Sequence, residues 1–118
     1  MHGLPADADL SFLAGKRLSQ IAVGANSVIL YFDHGDPWIR VEGRSVTEVG
    51  GVRESSDDSY VIAPAMFPLI GRKVLDVTWE ESGTIRLMFD DSGVVIIEDD
   101  SPHYESYQIV LGDLEITV

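Results

Sequence analysis

The densest run of chemistry-bearing side chains is Glu98-Asp99-Asp100-Ser101-Pro102-His103-Tyr104-Glu105. Carboxylates beside an imidazole can hold a cation or divide acid and base work in proton transfer. Asp99, His103 and Glu105 are therefore the candidate ligand- or metal-contacting residues. The spacing is unlike an EF-hand, and no His pair sits four apart on a helix. Along an extended backbone Asp99 and Asp100 point to opposite faces. A solvated connection between two strands, bent at Pro102, explains the same residues, with Tyr104 packed against the fold and its hydroxyl bonded to backbone. Cysteine is absent, which removes disulfides and thiolate chemistry. Gly50-Gly51 is no phosphate loop, and there is no Gly-x-Ser-x-Gly elbow. No catalytic set is expected, and no cofactor.

The elements that position these residues come in two copies. Residues 13–42 read LAGKRLSQIAVGANSVILYFDHGDPWIRVE and residues 69–98 read LIGRKVLDVTWEESGTIRLMFDDSGVVIIE. The offset is 56 at Gly15/Gly71, 57 at Phe32/Phe89 and 56 again at Glu42/Glu98. Val28, Leu30 and Phe32 alternate with other residues, as do Ile85, Leu87 and Phe89, and period two marks a half-buried strand. Gly-, Asn- and Asp-containing connectors tolerate tight turns. Each copy reads as a three-stranded antiparallel meander, the two related by a pseudo-twofold axis. That axis would bring the turns Asp33-His34-Gly35-Asp36 and Asp90-Asp91-Ser92-Gly93 together, gathering four acids and His34 as a conceivable cation site. Turn chemistry alone explains those residues too.

Residues 45–58 are polar around Gly50-Gly51 and read as a strand end with a mobile loop. Residues 60–70 (YVIAPAMFPLI) are apolar; Pro64 and Pro68 argue against a long helix, leaving a helical turn or an extended crossover. Residues 9–13 suit a short helix. Residues 105–118 read as a final hairpin around Gly112-Asp113. The expectation is one mainly β domain over residues 1–118: eight strands in two meanders and a C-terminal hairpin, with one or two short helical segments, closed as a sandwich, roll or small barrel.

The charge distribution points to partners. The net charge is −12 over 118 residues. From residue 74 onward there are eleven acids and one base, Arg86, a net of −10; residues 1–73 carry nine acids and seven bases, a net of −2. Phosphate backbones are bound by Lys and Arg, so nucleic acid is an unfavourable partner. A basic protein is a favourable one, with solubility as the plainer explanation. Glu80, Glu81, Asp90, Asp91, Glu98 and Asp100 are the candidate partner-binding acids. Trp38, facing away from Ile39 and Val41, is the candidate apolar contact unless residues 60–70 cover it. No membrane span and no basic leader is apparent, and the cytoplasm is the expected compartment.

Three segments carry a family resemblance: Leu69-Ile70-Gly71-Arg72-Lys73-Val74, then Ile85-Arg86-Leu87-Met88-Phe89-Asp90-Asp91, then Tyr104-Glu105. Together they resemble a family of short uncharacterised bacterial proteins with a Leu-x-Gly-x-x-Val opening, a Leu-x-Leu-x-Phe-x-Asp strand and a later Tyr-Glu. This chain departs from the family's Asp-Gly turn, having Asp91-Ser92-Gly93. The family implies no activity and no catalytic residue. In style the chain is also similar to immunity proteins, which neutralise toxins by binding them. The leading expectation is a non-enzymatic acidic protein-binding module. The alternatives are a small-ligand binder or enzyme with a polar pocket between the meanders, and a homodimer or larger homo-oligomer joined through exposed sheet edges.

Overall fold

The structure, a computed structural model, describes residues 3–100 and 106–118. After a 3-10 turn at Ser11–Leu13 come β1 (Leu18–Val23), β2 (Val28–Phe32) and β3 (Trp38–Val41), then a hairpin of β4 (Ser45–Val49) and β5 (Val52–Ser56). Helix α1 (Ser59–Met66) and a 3-10 turn (Phe67–Leu69) lead to β6 (Val74–Trp79), β7 (Ile85–Phe89) and β8 (Val94–Ile97). The hairpin of β9 (Tyr107–Leu111) and β10 (Leu114–Thr117) closes the chain. The fold is mainly β, as the alternation predicts.

Ten strands form among the described residues, not eight. The addition is β4–β5, where a loop was expected. Gly50 and Gly51 both have positive φ (61° and 80°), which is the backbone of a two-residue type I′ hairpin turn. The strands escape a hydrophobicity reading because their inward residues include the buried hydroxyls Ser45 and Thr47.

The ten strands make two antiparallel sheets, ordered β1-β2-β3-β9-β10 and β5-β4-β8-β7-β6. Each meander is thus extended by the hairpin that follows the other meander in sequence. Registers repeat as well: Val41 faces Tyr107 in the first sheet, and Ile97 faces Ser45 in the second. The wobble in the repeat offset is a loop exchange. The β1–β2 connection is one residue shorter than β6–β7, and β2–β3 is one residue longer than β7–β8.

The pseudo-twofold axis is visible in the hydrogen bonds. The Gly15 N–H donates to Val74 O (2.7 Å) and the Gly71 N–H to Leu18 O (2.7 Å). Val74 N–H donates to Lys16 O (2.8 Å) and Leu18 N–H to Arg72 O (2.9 Å). These pairs exchange under the 56-residue offset, and Arg17 faces Lys73 across the antiparallel bridge between them. Gly15 and Gly71 have φ of 87° and 91°, so a side chain at either would be strained. The meanders therefore meet edge to edge at their openings and face to face across the core. One apolar cluster, with Leu30, Phe32 and Ile39 from one sheet and Leu87, Phe89 and Ile97 from the other, fills the space between.

The segments before each meander also correspond. Residues 3–13 bury Leu4, Leu10 and Leu13; residues 59–69 bury Ile62, Ala63, Met66 and Leu69. Of the helical and extended alternatives for residues 60–70, the short helix forms, as Ser59–Met66. Asp58 caps the helix, its carboxylate accepting from Tyr60 N–H (2.9 Å). Pro64 is inside the helix, and Pro68 falls in the 3-10 turn that ends it.

Candidate functional site

Strand direction decides which acids meet. β6 ends and β7 begins at the connection carrying Glu80 and Glu81, and β8 ends at the same end of the sheet. Glu80, Glu81, Glu98, Asp99 and Asp100 therefore share one end of the second sheet. Asp90 and Asp91 lie in the β7–β8 connection at the opposite end. Trp38 lies on the outer face of the first sheet, half-buried, facing Tyr31 and Val110 on the neighbouring strands. Helix α1 packs chiefly on β4, β5 and β1, and β3, which carries Trp38, is not among its main neighbours. The predicted partner-binding residues thus form no single patch.

Asp99 and Asp100 do part to opposite faces. Asp100 is exposed; its Oδ2 lies 3.7 Å from the Arg44 guanidinium and its Oδ1 accepts from Arg44 N–H (3.2 Å). Asp99 is only 7% exposed and is occupied internally. Its Oδ2 accepts from Gly3 N–H (2.8 Å) and its Oδ1 from the Ser106 hydroxyl (2.8 Å). It packs so closely on Gly83 that a Cβ there would lie 2.6 Å from the Asp99 Cβ. A carboxylate held this way fixes the N-terminal segment to the β6–β7 connection, where Leu4 N–H also bonds Glu81 O (3.0 Å). The solvated-turn reading is therefore corrected for Asp99. His103, Tyr104 and Glu105 lie outside the described residues.

Tyr107 completes this corner. Its hydroxyl donates to Gly83 O (2.6 Å), the kind of backbone bond expected of Tyr104. Burial raises the Tyr107 phenol pKa, and the nearby negative charge of Asp99 raises it further. Sequence reasoning missed this network, though a signal existed. Val95 and Ile97 point inward, so period two sends Asp99 inward next.

The matched turns flank the pseudo-twofold axis with bases between them. Asp33 lies 3.6 Å from Lys16 and accepts from Arg17 N–H (2.9 Å); Asp91 lies 3.2 Å from Arg72; Asp36 accepts from Gly112 N–H (3.0 Å). These acids serve ion pairs and loop closure. Among the described residues no three His, Asp or Glu gather as a metal site. Among the described residues a depression of about 270 Å³, open to solvent, is lined by Thr78, Trp79, Glu80, Thr84, Arg86 and Ile96 on the outer face of the second sheet. Among the described residues no helix is long and apolar enough to cross a membrane.

Comparison of the chain with protein-family models, curated proteins and solved structures finds no match.

Proposed function

We propose that this chain is a non-enzymatic binding module that engages a basic protein through the acidic end of its second sheet, in the manner of an immunity protein on a toxin. The observation that carries the reading is the gathering of Glu80, Glu81, Glu98 and Asp100 at that end, within the stretch from residue 74 onward whose net charge is −10. Arg44 is the one base in ion-pair range of these four among the described residues. Asp99 is already bonded inside the fold and contributes field, not contact. Uncompensated surface acids speed encounter with a basic partner and lose that effect as salt screens them.

The test is affinity capture at about 50 mM and about 500 mM salt, where the screening length falls severalfold. Basic proteins should be retained at low salt, released at high salt, and not retained by the Glu80→Gln/Glu81→Gln/Glu98→Gln variant. Capture indifferent to both salt and neutralisation would sink the reading.

A further inference from the structure

The two segments that lead into the meanders play equivalent structural roles but show solvent opposite surfaces. Residues 3–13 turn Asp7, Asp9 and Ser11 outward beside the small Pro5 and Ala6, with no large apolar side chain fully exposed. Residues 59–70 turn out Tyr60 (65% exposed), Val61 (42%), Phe67 (45%) and Ile70 (43%), with Pro64 and Pro68 also exposed. From residue 60 to 70 no side chain is charged. The other half shows that the scaffold does not require this. The strip exposes on the order of 400 Å² of apolar surface, within the range of the largest patch on an ordinary monomer and about half of what one partner brings to a standard interface. Beside it, an apolar groove of about 240 Å³ runs between α1 and the β4–β5 hairpin, with Val52, Ala65 and Pro68 on its walls.

The ends of the strip are oppositely charged. Asp57 and Asp58 precede it; Arg72 and Lys73 follow it. Lys73 faces Arg17 across the axial bridge. Two cations placed directly opposite in an antiparallel pair disfavour each other. Arg17 directs its guanidinium to Gly71 O (2.5 Å), and neither Arg17 nor Lys73 has a carboxylate within ion-pair range among the described residues. An acid–apolar–base strip is complementary to itself when reversed. A twofold axis perpendicular to α1 lays apolar centre on apolar centre. It also sets Asp57 of one copy against Lys73 of the other, while Asp58 is engaged as the helix cap and Arg72 with Asp91. Such an isologous contact closes on itself as a dimer.

We propose that the exposed face of residues 57–73 is a homodimer interface, with two copies of α1 packed antiparallel. This contact lies on the helical lead-in and leaves the acidic end of the second sheet free. The test is sedimentation and light scattering from about 1 to about 500 µM, a range that brackets weak to moderate association. Wild type should shift from 12.9 kDa towards twice that mass as concentration rises. Tyr60→Glu/Phe67→Glu, altering two exposed side chains, should stay monomeric and melt close to wild type at concentrations where wild type is itself monomeric. Asp57→Lys and Lys73→Glu should each weaken association about tenfold, and the two together should restore it, because the reversed charges meet again across the twofold. A wild type monomeric throughout would overturn the proposal. So would a Tyr60→Glu/Phe67→Glu protein that dimerises undiminished, which would place the contact on a sheet edge. Failure of the double reversal to recover would overturn the antiparallel arrangement.

Discussion

Residues 3–13 and 59–69 close equivalent openings of a pseudo-symmetric fold, and they are secured by different chemistry. The second is capped by Asp58 and anchored by the Ser59 hydroxyl on Gly24 O (2.6 Å). The first is held locally by Asp9, whose carboxylate accepts from Ser11 N–H at the 3-10 turn (2.9 Å), and at its start by Asp99 on Gly3 and the Glu81 carbonyl on Leu4. Helix α1 is held chiefly by the burial of Ile62, Ala63 and Met66, with the Ser59 hydroxyl as one further tie. An irregular segment must find partners elsewhere, and a buried carboxylate supplies one. The symmetry is thus strict where strands and core are concerned and relaxed in the segments that plug the ends.

The largest effect tests the strict part. Phe32 and Phe89 are equivalent, with 0% and 2% exposure, each at the end of a middle strand. Phe32→Ala and Phe89→Ala should each cost about 3–5 kcal/mol, the usual range for emptying a core aromatic site. Chemical denaturation should give two losses within about 1 kcal/mol of each other, a margin wider than the few tenths by which denatured-state effects usually shift such values. A much larger loss at one site would show that one half dominates the core and that the symmetry is only one of chain path.

The relaxed part should separate more widely. Asp99→Ala removes a buried carboxylate that accepts from the Gly3 N–H and the Ser106 hydroxyl, and should cost about 2–4 kcal/mol. Ser59→Ala removes one hydroxyl whose acceptors, Gly24 O and Ala25 O, lie by an exposed turn, and should cost about 1 kcal/mol. Amide exchange should quicken at Gly3 and Leu4 in the first variant and near Tyr60 in the second. Equal costs would remove the distinction between the anchors.

Tyr107 extends the same corner, with a smaller effect that depends on pH. Tyr107→Phe leaves the Gly83 carbonyl without its donor and should cost about 1–2 kcal/mol near neutrality. The phenol's pKa is raised in the folded state. Above about pH 10 the unfolded chain releases this proton first, so stability falls as pH rises from there towards the folded value. The Phe variant should lose that part of the alkaline decline. Parallel wild-type and variant curves above pH 10 would show that the hydroxyl is not a buried donor.

Alternation made β1 to β3 and β6 to β8 legible, because Phe32, Leu87 and their neighbours bury every second residue. β4 and β5 were not legible, because Ser45, Thr47, Arg53 and Glu54 carry no apolar period. The exchange of hairpins between meanders was also beyond local reading. It is a choice between equivalent edges, settled by which pairing closes one core. For the candidate site the acids were found but their grouping was not. Asp90 and Glu98 sit at opposite ends of one sheet, and only strand direction reveals it. Asp99 was misread because acids next to Pro and Ser usually mark solvated turns. Its inward position follows from Ile97 two residues earlier.

The smallest effect concerns the cap that lets α1 exist at all. Eight residues with Pro64 among them are too few for a helix to persist on propensity. Asp58→Ala removes the acceptor for Tyr60 N–H and should cost about 1 kcal/mol, within the usual range for N-caps. Asp58→Asn keeps an acceptor and should recover most of it, which distinguishes capping from the charge of the residue. Residues 3–13 have a local counterpart in Asp9, whose carboxylate accepts from Ser11 N–H (2.9 Å), but Gly3 and Leu4 are anchored by groups distant in sequence. If Asp58→Ala were silent, burial of Ile62, Ala63 and Met66 alone would hold the helix. The two lead-ins would then differ only in what they expose, and the apolar strip, not the anchoring, would be the asymmetry that matters.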